Sequence, residues 1–354
     1  MELPLNLNSA ATHKDLSMDR KNKMELVCPA GSFPALRAAV DYGADAVYIG
    51  FRDATNARNF PGLNFSYDEA HTAIKYAHQR GTKVLLALNT FPQPADWPVW
   101  TKAIDNAAKL GVDAVILADP GLMHYATRNY PELRLHLSVQ ASATNKHAIG
   151  FFKDHFNIQR VVLPRVLSIA QVKNVIENSP VETEVFGFGS LCVMVEGRCV
   201  LSSYVTGESP NSCGVCSPAK AVKWTEAAGV RQSRLNNVLI DQYTAKENAG
   251  YPTLCKGRFQ VGNNTFYAIE EPTSLNTLPI LPQLMEMGVA AIKVEGRQRS
   301  PSYVAQVTQI LRAAINACHE SPENFNPNAE WIEGLDHVSE GNAHTLGAYH
   351  RPWQ

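Results

Sequence analysis

The sequence predicts an α/β protein: a (β/α)8 TIM-like barrel with a long cysteine-bearing insertion between its seventh and eighth strands. Three observations lead there. Eight short apolar runs alternate with amphipathic stretches, and several of the runs are apolar throughout. That composition suits parallel strands covered on both faces. One phrase recurs at GADAVYIG (43–50), GVDAVILAD (111–119) and GVAAIKVEG (288–296). Each copy is a helix-ending glycine, a tight turn and a buried strand, the pattern of repeated βα units. A doubly wound open sheet is the competing layout, but no glycine-rich dinucleotide fingerprint follows the first strand.

Residues 1–23 are polar, carry mixed charge and lack the apolar core of a signal peptide, so they read as a flexible extension. The barrel domain is expected over 24–320. Its first strand is Glu25–Pro29, and Ser32 with Pro34 opens a helix over Phe33–Tyr42. Strands follow at Ala46–Phe51, Lys83–Asn89, Ala114–Asp119, Arg134–Ala141, Arg160–Pro164 and Glu182–Phe188. Residues 190–285 then break the rhythm, being far longer than an ordinary βα loop. A long insertion at the carboxyl ends of the strands is where a barrel keeps its site. The eighth strand is Ala291–Glu295, and a helix carrying the stripe Val304, Val307, Leu311, Ala314 and Ile315 follows. The tail, 321–354, is rich in Pro, Asn and Gly and is expected to wrap the barrel surface.

The chain has 354 residues, 45% of them hydrophobic and 18% charged, enough to bury a large core. Lys plus Arg number 32 and Asp plus Glu 33, leaving a formal charge of −1. That balance removes the broad positive footprint of a protein gripping nucleic acid by its backbone, so no nucleic-acid partner is expected. No apolar run approaches the roughly 20 residues of a membrane helix. A cytoplasmic, reducing location follows, in which cysteines are weighed as thiols or metal ligands before disulfides.

Five of the seven cysteines, Cys192, Cys199, Cys213, Cys216 and Cys255, lie in the insertion. Four thiolates converging on a soft, electron-rich core is what an iron–sulfur cluster requires. Cys192-x6-Cys199-x16-Cys216-x38-Cys255 supplies four, with Cys213 spare. Four cysteines also build closed zinc sites, and Cys213-x2-Cys216 looks like half of a zinc ribbon, but no second CxxC exists. Cys318, closing a helical apolar stripe, and Cys28, inside the first strand, read as core packing.

The stretch 184–202, EVFGFGSLCVMVEGRCVLS, fits the pattern E-x-F-x2-G-S-L-C-x4-G-x-C-x-L-S throughout. It resembles the signature of the U32 family, long described as collagenase-like peptidases. The likeness continues through MELVCPAG (24–31), SVQASATN (138–145), VVLPR (161–165), YPTLCKGR (251–258), EEPTSLNTL (270–278) and KVEGRQRSPSYV (293–304) to TLGAYHRPWQ (345–354). It is greatest toward the UbiU-like branch of that family. This resemblance implies a [4Fe–4S] cluster on Cys192, Cys199, Cys216 and Cys255. It further implies a heterodimer with a homologous UbiV-like subunit, a UbiT-like lipid-binding companion, and O2-independent hydroxylation of a prenylated quinone precursor in ubiquinone biosynthesis. Prephenate is the implied hydroxyl donor.

Such chemistry needs an oxygen source other than O2 and a route for electrons. Prephenate is a dianion whose loss of ring substituents is driven by aromatisation, and carboxylates call for Arg forks. Arg58, Arg165, Arg198 and Arg297 lie at or just beyond strand ends, as do Asn89, Gln140 and Asn145. Of these, Arg58, Asn89, Gln140, Asn145, Arg165 and Arg297 are the expected substrate-binding residues. Glu295 and Asp119 are the expected catalytic groups, suited to proton transfer. Glu184 is expected to hold the barrel rim against Arg165 or Arg297, and His136 to be a core histidine.

Three other functions compete. A peptidase would show HExxH, GxSxG or a single thiol paired with histidine, and the first two are absent. Hydroxylation of RNA bases is a role of other U32 members, which tend to carry additional carboxyl-terminal segments. A cluster-bearing scaffold whose partner holds the substrate is the third.

Overall fold

The computed structural model describes residues 24–351 apart from 61, 194–198, 209, 211–215 and 248. Seven parallel strands come first: β1 (Glu25–Pro29), β2 (Ala46–Ile49), β3 (Lys83–Leu88), β4 (Ala114–Leu117), β5 (Leu135–Leu137), β6 (Arg160–Val162) and β7 (Glu182–Ser190). Helices α1 (Phe33–Asp41), α2 (Tyr67–His78), α3 (Trp97–Leu110), α4 (Pro120–Asn129), α5 (Lys146–Phe156) and α6 (Ile169–Asn178) alternate with them. Most of these helices start on a side chain that satisfies an orphan backbone donor. Ser32 caps α1, and the Ser66/Glu69 and Ser168/Gln171 pairs form reciprocal capping boxes on α2 and α6.

The insertion is a folded module rather than a loop. It comprises helix α7 (Val200–Thr206) and an antiparallel sheet of β8 (Val222–Ala227), β9 (Val230–Leu235) and β10 (Val238–Thr244). A hairpin of β11 (Phe259–Val261) and β12 (Asn264–Phe266) follows, then β13 (Ser274–Asn276) and α8 (Leu281–Glu286). Its own small core holds Ala221, Leu235, Ile240 and Leu254. The eighth barrel strand, β14 (Ala291–Val294), pairs in parallel with both β7 and β1, which closes the ring. All eight strands expected from the sequence are present, and the barrel is complete.

The tail departs from an irregular wrap. After α9 (Pro301–Glu320), Asn328 caps a further helix, α10 (Ala329–Val338), which buries Leu335. Residues His344–Thr345 (β15) then pair in parallel with β13, and β13 pairs antiparallel with the last three residues of β7. Pro, Asn and Gly serve here as caps and turns around short elements whose periodicity is too brief to register in the sequence.

Strand parity sorts the barrel into layers. Residues such as Leu26, Cys28, Val47 and Ile292 point outward into the main core beneath the helices. Val27, Tyr48, Leu85 and Ile116 point inward on one side of the barrel. The other side of the interior is ionic. Arg160 meets Glu25 at 2.7 Å, Glu182 at 2.7 Å and the fully buried Glu184 at 3.4 Å, while Lys293 Nζ donates to Glu184 Oε1 at 2.7 Å. This corrects the pairing expected for Glu184: its partners are Arg160, one layer below it, and Lys293, one layer above it on the cleft floor, rather than Arg165 or Arg297 at the rim. Burial works against the Glu25 carboxylate, but Arg160 and Lys83 outweigh it and hold the group below its ordinary value. His136, buried among Arg160, Arg134 and Lys293, is driven well below its ordinary value, first by burial and then by those cations. It is a neutral core histidine whose Nε2 accepts from Arg134 at 3.0 Å.

Removing Arg160 takes away the cation shared by Glu25, Glu182 and the fully buried Glu184, and leaves Glu184 with Lys293 alone. Arg160→Met is expected to cost about 3 kcal/mol or more of unfolding free energy at neutral pH. In the variant the stranded carboxyls gain raised folded pKa values, so protonation relieves the penalty as pH falls. In the wild type, despite burial, Glu25 and Glu182 are held below their ordinary value by their cations, so their contribution to stability shrinks on the same change. Urea titrations at pH 7 and pH 5 should therefore show the gap between the two proteins closing; a gap independent of pH contradicts this reading.

Candidate functional site

A cleft of about 580 Å³, partly open to solvent, occupies the carboxyl end of the barrel. Its floor is made by the last inward-facing residues of the strands, Tyr48, Ala87, Ile116, Val162, Phe186 and Lys293. Above them stand Arg58, Asn89, Gln140, Arg165, Glu295 and Arg297. The structure therefore gathers into one cavity six of the eight catalytic and substrate-binding residues singled out from the sequence. Asp119 and Asn145 are not among its lining. Asp119 accepts from the Leu122 amide at 2.9 Å as the N-cap of α4, and exposed Asn145 accepts from the amides of His147 and Ala148 to cap α5. Their place after a strand reflects helix initiation, which looks identical in a sequence to a polar group at a barrel mouth. Arg198 and Cys213 lie outside the described residues, as do 1–23.

Each cation is held differently. Arg297 is buried with its guanidinium 3.1 Å from Asn56 Oδ1 and makes no ion pair among the described residues. Burial, with the like charge of Arg58 beside it, brings the group down to about 10, still charged at neutral pH. Its position depends on a close approach: a Cβ on Gly31 would lie 1.9 Å from the Arg297 carbonyl oxygen. Arg165 lies over the Phe186 ring at 4.2 Å and donates to the Ser190 carbonyl at 2.8 Å. Arg58 Nε stands 4.0 Å from Glu295 Oε1. Burial disfavours the Arg58 cation, but the fields of Cys216, Cys192 and Glu295 hold it above its ordinary value. Arg58 thus sits between the cleft and the cysteines.

Glu295 Oε2 is buried with no partner. The carboxylate comes into place because β7 passes close by at Gly189 (φ +120), where a Cβ would fall 2.7 Å from the Glu295 carbonyl oxygen. Lys293, Tyr48 and Asn56 are the site residues that inspection of charged strand ends missed. Lys293 lies two residues before Glu295 and so shares its inward face. Its Nζ sits 3.9 Å from the centre of the Tyr48 ring, which shields the floor beneath Arg297. Parity along β14 and β2 carried the signal for the first two; Asn56 comes from a loop where no period applies.

Four thiols feel one another's fields, and two of them that of Arg58. Cys192 follows β7 by two residues, Cys199 caps α7, Cys216 precedes the small sheet, and Cys255 lies in a short 3-10 turn at Leu254–Lys256. Burial raises Cys255 to about 12, and the fields of Cys192, Cys216 and Cys199 add to the cost of ionising it. Cys216 is likewise raised by burial, opposed by Arg58 and reinforced by Cys192 and Cys199. Segments far apart in sequence thus bring four soft donors into one electrostatic neighbourhood, next to a cation. Among the described residues no three His, Cys, Asp or Glu side chains gather around a position for a single ion. Thiolates are the donor type an iron–sulfur group takes, and these four would be the residues to hold one.

Comparison with known proteins adds the family. The model for peptidase family U32 matches residues 31–352. The chain is 30% identical over 314 residues to tRNA hydroxylation protein P1 of Bacillus subtilis, covering 89% of this chain and 68% of that protein. It is 30% identical over 337 residues to tRNA hydroxylation protein P of Escherichia coli, covering 89% and 73%. A protein named collagenase from Porphyromonas gingivalis is 28% identical over 326 residues, covering 89% and 70%. The match runs from just after β1 through the rest of the barrel and its insertion, and the chain belongs to the U32 peptidase family.

Proposed function

We propose that this chain is the [4Fe–4S]-binding subunit of a heterodimeric, O2-independent hydroxylase of prenylated quinone precursors in ubiquinone biosynthesis, with prephenate as hydroxyl donor. Its partners on this reading are a homologous UbiV-like subunit and a UbiT-like lipid-binding protein. The observation that carries the reading is that Arg58, which lines a cleft with surplus positive charge, also feels the fields of Cys192 and Cys216, two of four thiols that feel one another. Lys293 is balanced by Glu184, which leaves Arg58, Arg165 and Arg297 against Glu295 alone. That surplus suits a dianion, and the three guanidiniums offer planar forks to carboxylates.

Cys192, Cys199, Cys216 and Cys255 would hold the cluster, which when bound would supply one-electron redox chemistry beside the cleft. The chain's own residues do the remainder. Arg297, fixed by Asn56 over the shielded floor, takes the deeper carboxylate, and Arg165, stacked on Phe186, takes the outer one. The unpartnered Oε2 of Glu295 faces the leaving side of the donor as the group that gives or takes a proton. Arg58 links the cleft to the thiols and stands 4.0 Å from Glu295 Oε1.

A second reading is supported by the relatives named for tRNA hydroxylation: the same cleft and thiols acting on an RNA base. The two separate in cells deleted for this gene and grown without O2. Loss of ubiquinone with unaltered tRNA nucleosides is the outcome expected here; missing hydroxylated nucleosides with normal ubiquinone would establish the RNA reading instead.

Two further outcomes follow from the residues. Cys192→Ser or Cys255→Ser protein, purified without air, should retain neither iron nor sulfide, whereas Cys213→Ser should retain both; iron loss confined to Cys213→Ser would overturn the ligand set. Arg297→Gln should weaken prephenate binding about tenfold or more by calorimetry, the loss of a charge-assisted pair, without reducing iron content. Unchanged affinity would move the donor site to the partner.

A further inference from the structure

We propose that Glu340, from the tail, is a positioning residue that fixes the separation of Cys192 and Cys255. The inference rests on the reading of those thiols as ligands of one cluster. One carboxylate oxygen of Glu340 accepts from both segments. Ser190 Oγ, two residues before Cys192, donates to Oε2 at 3.0 Å. Lys256 Nζ, one residue after Cys255, donates to the same Oε2 at 2.5 Å. The Lys256 side chain is 8% exposed and makes no other ion pair among the described residues, so this contact ties the Leu254–Lys256 turn, itself closed by Lys256 N donating to the Thr253 carbonyl at 2.9 Å, to Glu340.

Glu340 is itself held on the barrel's sheet. Its amide donates to Ser274 Oγ at 2.9 Å, and Ser274 is the residue of β13 that stands in register with Ser190 of β7 and His344 of β15. The oxygen, the two donors and the three strands form one closed brace. An ionised carboxylate only accepts and has lone pairs for both donors. Aspartate, shorter by one methylene, would fall short of spanning the two segments, whereas glutamine keeps one acceptor oxygen in place. A cluster tolerates little error in the spacing of its thiolates, and outer partners that orient them govern affinity as the ligands do.

The test compares full-length wild type, Glu340→Ala and Glu340→Gln. Gln306→Ala serves as a control that loosens the tail elsewhere, since Gln306 Nε2 donates to the Gly334 carbonyl at 2.8 Å and touches neither thiol segment. Iron-free protein is treated with dibromobimane, which links two thiols only at short range, and bridged peptides are mapped by mass spectrometry. Iron per chain is counted after anaerobic reconstitution. Wild type and Gln306→Ala should give the Cys192–Cys255 bridge and full iron. Glu340→Ala should lose both severalfold while unfolding cooperatively, and Glu340→Gln should recover most of the bridge. Wild-type bridging in Glu340→Ala, no bridge in wild type, or equal losses in Gln306→Ala would each overturn the proposal. Were wild type to bridge but take up no iron, the cluster reading would fall and the positioning role would stand on the bridging result alone.

Discussion

The double pairing of one strand governs this molecule. The first part of β7 lies parallel between β6 and β14 and closes the barrel, while its last three residues pair antiparallel with β13. Two residues later the chain reaches Cys192. Barrel closure, attachment of the insertion and placement of the first thiol therefore depend on one continuous ladder. Gly189, in the left-handed region at φ +120, is where that ladder passes Glu295. Backbone hydrogen bonding, which must be satisfied throughout a buried sheet, thus fixes the start of the thiol loop relative to the cleft, and Arg165 adds a side-chain tie by donating to the Ser190 carbonyl.

Charge inside the barrel has a related logic. Arg160, Glu184, Glu25 and Lys293 fill the lower interior where the opposite wall is filled by Val27, Leu85 and Ile116. A buried ion network contributes little net stability against a well-packed apolar core, but each partner requires the others. Here it delivers Lys293 to the floor of the cleft already neutralised, so the net positive field above comes from the arginines. The upper group is less satisfied: Arg297 leans on one amide oxygen, and Glu295 keeps one oxygen without a partner. Unsatisfied polar groups are costly in a dry core, and their concentration at a barrel mouth is what distinguishes a binding cleft from a plug.

Much of this was legible in the sequence. The eight strands were visible because parallel barrel strands are short and largely apolar, and three of them follow a glycine-ended helix in a recurring phrase. Arg58, Arg165, Arg297, Asn89, Gln140 and Glu295 were found because charged groups just past such strands have few other places to point. The same rule misled at Asp119 and Asn145, since a helix N-cap occupies an identical position after a strand. Lys293 and Tyr48 escaped because they lie within apolar runs; counting parity back from Glu295 would have exposed the lysine. The partners of Glu184, the small sheet of the insertion and the brace through Glu340 depend on contacts between distant segments, for which local periodicity carries no trace.

The central claim is that sulfur atoms from β7, α7, the start of the small sheet and the Leu254–Lys256 turn meet around iron above the arginine cleft. Iron K-edge X-ray absorption on protein prepared wholly without air tests it most directly. The account predicts a first shell of sulfur alone, with iron scattering from neighbouring iron beyond it. A shell dominated by nitrogen or oxygen, isolated iron, or an edge due only to zinc would contradict it.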